Sequence, residues 1–471
     1  MTTVSPNHAS AEAGGIDASA RCPLGLLTAF ALLWLVAGGV LAMLNLLQLQ
    51  NPGLLADCSW FTYGRLQALQ ETVFMYGWAV NAGLAAATWL LVRLSGENLR
   101  GANYLMAGAV FWNLAIVLGL VGIATGYAAT SHPLLQLPAY VQPILLFAYA
   151  VMAVPGILAW TGRRKEQTYA TQWYAVAALV LLPWFFSVAQ VMLTFLPVRG
   201  TLQAVVATWY AQNFFSLWLA PIALAAVYYL LPKITGRVLH NYDFAIYGFW
   251  ALLVFGPWMG GRQLIGGPVP AWIATVAIAS SVLVLFHHFI VVVNIRDIFR
   301  LTGSTALFFV TVGIAAYLLG GLVDAVFATR ALAKVTQFTY FQQAQQQLAL
   351  GAFSMIIFGT IYYMGPRLAG AAWPSIALIR AHFLSVLIGF ALLVVSLGMA
   401  GWVQGHDLND ASVTFATMGD HTRPWLQLAA VAHGVALIGN LLLTVHFLRL
   451  FFSKPAPVAF GQSAALEASA S

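Results

Sequence analysis

Charge is what this sequence has least of. Lys, Arg, Asp and Glu make up 7% of the 471 residues, hydrophobic residues make up 61%, and mean hydropathy is +0.85. That balance excludes a water-soluble globule, whose surface needs far more charge. Carboxylates are scarcer still, with 13 Asp and Glu against 20 Lys and Arg, for a net charge of +7. Cysteine is nearly absent. Cys22 and Cys58 supply no disulfide framework, no thiolate zinc site and no C-x-x-C-H haem attachment. There is no internal repeat and no Gly-rich phosphate loop, and glycine and proline are scattered through apolar stretches. Residues 1–22 are rich in Ala and Ser with a single basic residue, Arg21. They lack the basic start and apolar centre of a signal peptide, and the expectation is a disordered tail.

What is present instead is a succession of apolar stretches of roughly 20 residues, each able to cross a hydrocarbon core of about 30 Å as a helix. Twelve occur, near 24–48, 71–95, 102–126, 138–160, 171–196, 202–231, 243–261, 270–293, 302–327, 340–364, 379–402 and 425–452. Nothing larger than a loop separates them. The expectation is an all-α integral membrane protein: one twelve-helix domain over 23–453, flanked by disordered tails at 1–22 and 454–471. With both termini in the cytoplasm, the inside segments hold 14 of the 20 Lys and Arg and the outside segments 6. This is the asymmetry of the positive-inside rule. The net charge is therefore a topology signal and no footprint of nucleic acid. The expected partners are the lipid bilayer and other membrane subunits.

Four local patterns carry more information: Y-G-R-L-x-x-L at 63–69, W-Y-x-x-N at 209–213, F-W-A-L at 249–252 and I-Y-Y-M-G-P-R-L at 361–368. They resemble the catalytic subunit (subunit I) of haem–copper oxygen reductases over about residues 60–460. The cbb-type cytochrome c oxidases are the nearest branch, and nitric oxide reductases are cousins. The resemblance implies a twelve-helix bundle in a bacterial-type inner (plasma) membrane. It also implies two b-type haems and one copper, held by six histidines on four helices.

None of the six matching positions is histidine. By the resemblance, Gln70 on helix 2 stands at a low-spin haem ligand and Gln212 on helix 6 at a copper ligand. Arg262 and Gln263 on helix 7 stand at the paired copper ligands. In A-Q-Q-Q-L on helix 10, Gln345 and Gln347 stand at the high-spin and low-spin haem ligands, with a register uncertain by one residue. Gly256 falls where the cbb-type redox tyrosine is found. Glutamine has no nitrogen lone pair to give a haem iron, and arginine is permanently cationic. No haem or copper is therefore expected, and no residue is assigned a catalytic or metal-binding role.

Other polar groups lie at membrane depth and are functional candidates. Glu71 follows Gln70, and Asp324 lies on helix 9. His287 and His288 on helix 8 and His433 on helix 12 are candidate substitute ligands, each set against the plainer reading of a histidine bonded to a neighbouring helix. The six glutamines Gln70, Gln212, Gln263 and Gln345–Gln347 are expected to share one interior region, and Arg262 to find a carboxylate, carbonyl or water. Substituting Gln212 with Leu is expected to be far more damaging than the same change at Gln48. Aromatics on helices 5 to 8, among them Phe185, Phe186, Phe214, Trp218, Trp184, Trp250 and Trp258, are candidates for refilling vacated volume. Three functions stay open. The first is a redox-inactive homologue with an accessory, regulatory or ligand-binding role. The second is an oxidase or nitric oxide reductase-like enzyme using His287 and His288, and the third is a proton or solute conduit.

Overall fold

The computed structural model describes residues 6–164, 168–296 and 304–452. These form twelve helices long and apolar enough to span a bilayer. In chain order they are α1 (Pro6–Gln50), α2 (Tyr63–Ser95), α3 (Ala102–Thr125), α4 (Gln142–Thr161), α5 (Ala170–Phe195) and α6 (Leu202–Thr235). There follow α7 (Tyr242–Leu264), α8 (Ala271–Ile295), α9 (Thr305–Phe327), α10 (Tyr340–Ala369), α11 (Ile376–Leu408) and α12 (Phe415–Phe452). No strand occurs among the described residues, as a chain with no water to satisfy its backbone requires.

Burial divides these helices into two groups. The whole apolar window of α2, 94% of that of α6 and 72% of that of α10 are buried, against 33% for α11. The three innermost helices are thus those carrying Gln70, Gln212, Gln345 and Gln347. Small residues let outer helices close around them. A methyl added at Gly313 on α9 would meet Ala352 O of α10 at 2.8 Å, and one at Gly389 on α11 would meet Ala436 N of α12 at 2.8 Å. Such contacts bring backbones together where lipid supplies no hydrophobic drive.

Helical regularity breaks beside the inner polar residues. After Glu71 the α2 backbone widens into π-type turns over Val73–Ala79, where Val80 N–H reaches back five residues to Met75 O. After Gln212 the same occurs over Phe214–Leu219 in α6, with Ala220 N–H on Phe215 O. The end of α7, Gly256–Leu264, tightens into a 3-10 helix that carries Arg262 and Gln263. Single wide or tight turns of this kind cluster at functional positions.

The chain departs from expectation at its start. The tail expected over 1–22 is helical from Pro6, continuous with the first span. Asp17 is 2% exposed and accepts hydrogen bonds from Trp89 Nε1 at 3.1 Å and Arg93 Nη1 at 3.2 Å, both on α2. Ala-rich composition favours helix even where hydropathy is low, and a buried ion pair then fixes it. The 454–471 tail lies outside the described residues.

The aromatics divide as well. Phe185, Phe186, Phe214 and Trp218 are buried, and Tyr76, Trp78, Trp112, Tyr149 and Tyr210 join them inside. Trp184, Trp250 and Trp258 are more than half exposed and face outward.

Candidate functional site

On α2, Gln70 is partly buried, and no side-chain hydrogen bond links it to the described residues. Its neighbour Glu71 is well served, accepting from Gln136 Nε2 at 2.9 Å and Gln67 Nε2 at 3.3 Å. Two amide donors make this carboxyl a tie between α2 and the α3–α4 connection.

The second group lies where α7, α9 and α10 meet. Arg262 Nη2 sits 2.8 Å from Asp324 Oδ2, and Gln345 Nε2 donates to the other oxygen, Oδ1, at 3.0 Å. Both carboxylate oxygens are thus engaged. Arg262 is 8% exposed, and its Nη1 is buried without a hydrogen-bond partner. Gln212 is buried nearby, its amide donating only to Met259 Sδ at 3.9 Å. Gln263 enters through its backbone, whose carbonyl accepts from Gln337 Nε2.

His287 and His288 flank this group on α8. His287 Nδ1 donates to Gly248 O at 2.8 Å, which leaves Nε2 to accept from Tyr317 OH at 2.9 Å. Both nitrogens are committed to neighbouring helices. His288 Nδ1 donates to Val284 O at 3.0 Å, one turn back on its own helix. The rest of its ring stacks on Tyr317 at 4.9 Å and fills the notch at Gly321 on α9. Both ring nitrogens of His287 are taken by these contacts, whereas His288 Nε2 has no hydrogen bond among the described residues.

A third group faces the other way. Gln347 and Ser354 on α10, with His433 and Asn440 on α12, line a cavity bounded by α1, α2, α10, α11 and α12. The cavity is small, about 90 Å³. His433 makes no hydrogen bond with the described residues, which corrects the plainer expectation for that residue. Phe74, four residues beyond Gln70, forms part of the wall. Asn440 was not singled out in the sequence, where a lone Asn in an apolar helix carries no motif.

The expected single polar region is therefore several. Arg262, Asp324 and Gln345 form one network beside Gln212. Gln347 and His433 share a cavity on the opposite face of α10, as positions two apart on a helix must diverge by about 200°. Glu71 belongs to neither group.

An inner trio of helices, two of them with widened turns just beyond their polar residues, wrapped by nine more, defines a polytopic membrane protein. The chain belongs to the cytochrome c and quinol oxidase polypeptide I family, whose model matches residues 24–435. It is 25% identical over 390 residues to the cbb3-type cytochrome c oxidase subunit CcoN1 of Stutzerimonas stutzeri, covering 79% of this chain and 81% of that one. It is 24% identical over 402 residues to cytochrome c oxidase subunit 1 of Rhodobacter capsulatus, covering 79% and 73%. Its fold is similar to a chain in a cryo-EM structure of a haem–copper terminal oxidase dimer, with a TM-score of 0.72, 12% identity and coverage of 92% and 85%.

The donors at the six matching positions do not fit two haems and a copper. Five are amides and the sixth is a guanidinium already paired with Asp324. Among the described residues, no three of His, Cys, Asp and Glu gather into a group able to hold a metal ion.

Proposed function

We propose that this chain is a subunit I homologue without redox turnover, retained in a bacterial-type plasma membrane for an accessory, regulatory or ligand-binding role beside other membrane subunits. The Arg262–Asp324–Gln345 network carries the reading. A guanidinium 2.8 Å from a carboxylate occupies the position where the resemblance calls for a copper ligand, and a fixed cation there opposes a second one. Gln345 at the haem-equivalent position donates its amide to the same carboxylate, so both Asp324 oxygens are engaged. The alternative of an active oxidase through His287 and His288 is opposed at His287, where both ring nitrogens are hydrogen-bonded to neighbouring helices.

The test is an optical spectrum with a pyridine haemochrome assay and copper analysis of the purified, membrane-extracted protein. The expected outcome is no Soret band and haem and copper well below stoichiometric. About one haem per chain, with a reduced-state α band, overturns the proposal and directs attention to His433, whose ring nitrogens are not committed to other helices.

A further inference from the structure

The cavity between α1, α2, α10, α11 and α12 combines apolar walls with a few polar side chains. Its walls are apolar, built by Leu35, Phe74, Met355, Phe358, Phe390 and Leu393. Polar groups interrupt them at Gln347, Ser354, His433 and Asn440. Ser354 Oγ already accepts from Trp78 Nε1 at 2.9 Å. The other three side chains have no protein hydrogen bond among the described residues. Asn440 and His433 are 7% and 8% exposed, and Asn440 Oδ1 is buried without a partner.

Unpaired buried amides and imidazoles are costly: each lost hydrogen bond is worth about 1–3 kcal/mol, and more in a hydrocarbon setting. Some buried amides elsewhere in this bundle are paired, although others, the fully buried Asn213 among them, also lack a side-chain partner among the described residues. Trp34 Nε1 donates to Asn113 Oδ1 at 2.6 Å, Asn113 Nδ2 to Asn81 Oδ1 at 3.0 Å, and Tyr228 OH to Asn294 Oδ1 at 2.7 Å. Buried Asn440 and His433, with the partly buried Gln347 beside them, converge on one cavity without protein partners among the described residues and leave room for one from outside the chain. Among the described residues no Asp, Glu, Lys or Arg lines the cavity, so a charged ligand finds no counter-ion among them. Aromatic and aliphatic walls with a few convergent polar groups are the general form of a small-molecule site.

We infer that this cavity binds a small uncharged molecule carrying a carbonyl or hydroxyl oxygen on an apolar, ring-bearing body. The oxygen sits among Gln347, His433 and Asn440, and the body lies against Phe74, Phe358 and Phe390. The inference names the ligand class for the ligand-binding role proposed above and rests on that reading only in leaving the cavity free of haem.

Benzophenone tests it directly, being a neutral diaryl ketone that inserts into nearby C–H bonds on illumination. Its carboxylated analogue 4-benzoylbenzoate is the charged control. The whole protein, in detergent and in vesicles, is labelled over a concentration series, and adducts are mapped by peptide mass spectrometry. The expected result is saturable labelling at Met355 or its neighbours on α10 and α12. It is competed by a non-photoreactive aryl ketone and absent with the carboxylate. Asn440→Leu is expected to weaken half-saturation about tenfold, the loss of one hydrogen bond to a buried amide. Val431→Ala, a lipid-facing change on the same helix, leaves it unaltered. Labelling that rises without saturation and spreads over lipid-facing residues means partition into the membrane only and overturns the inference, with no variant needed. A spectrum of the same preparation separates the two claims. Bound haem defeats this inference and the proposed function together, whereas haem-free protein without saturable labelling defeats this inference alone.

Discussion

Arg262 is the residue on which the interior turns, because it is a charge placed where the bundle offers little to balance it. Its partner Asp324 retains 23% exposure, so removing the carboxylate leaves a mostly buried cation partly reachable by water. Asp324→Asn is expected to destabilise the protein by roughly 2–4 kcal/mol, below the full cost for a completely buried pair. Replacing both partners, Arg262→Met with Asp324→Asn, is expected to recover most of that loss, and thermal unfolding in detergent over the double-mutant cycle of these two changes measures it. A loss in the double variant equal to the sum of the two single losses would show that the pair is not coupled. The need for a partner to Arg262 was readable from charge at membrane depth alone. The comparison of Gln212 with Gln48 was not, and their hydrogen bonds favour the opposite expectation. Gln48 is buried, with Nε2 donating to Leu54 O at 3.1 Å and Phe61 O at 3.0 Å. Gln212 has only a long contact to sulfur. Gln48→Leu is accordingly expected to cost about 1–2 kcal/mol and Gln212→Leu less than about 1 kcal/mol. A motif position attracts attention in a sequence, whereas a side chain stapling a loop leaves no local mark.

At the scale of elements, the twelve helices were legible because apolar length is a sufficient signal in a membrane protein. The N-terminal extension of α1 was not, since its composition is polar and its stability comes from contacts made across sequence. The Asp17 carboxylate bridges Trp89 and Arg93 of α2, and Ile16, Ala20 and Leu24 are buried beneath it. Deleting residues 1–22 is therefore expected to lower the melting temperature and to raise hydrogen exchange in the last turns of α2. A true disordered tail would be removed without effect. The turn that follows α2 adds a pH-dependent clasp. Arg164 Nε donates to Glu97 Oε1 at 2.7 Å, and Arg164 N–H donates to Ser95 O at 3.0 Å. The Arg164 hydrogen bond and charge hold the Glu97 carboxyl below its ordinary value. A depressed carboxyl lends its stabilisation above the ordinary carboxylate range and loses it as pH falls through the depressed value. Hydrogen exchange across 95–101 is expected to rise on such acidification, and Glu97→Gln is expected to show the raised exchange at all pH values. A wild-type profile flat with pH would remove the clasp.

For the whole molecule, the orientation follows from where the fold gathers its cations. Arg93, Arg164, Lys233 and Arg237 line one cleft at one end of the bundle, and Arg367 lies close enough to act on Asp17 at that end. At the opposite end Arg65 donates to Ala124 O at 2.9 Å and Arg262 is neutralised by Asp324. The sequence count of 14 against 6 thus corresponds to a spatial segregation that the count alone did not require. Loops carrying Lys and Arg close to helix ends are retained on the cytoplasmic side, and an even number of spans returns the chain to the side where it began. The first end of α1 and the last of α12 are therefore expected in the cytoplasm, with the 403–424 connection and its Asp407, Asp410 and Asp420 outside. Fusions of a reporter active only in the cytoplasm, joined after Ser471, are expected to be active, and the same reporter inserted after Ser412 inactive. The inverse pattern would turn the bundle over. It would then place the basic cleft on the outer face, where neither the positive-inside rule nor the attraction of an anionic inner leaflet accounts for it.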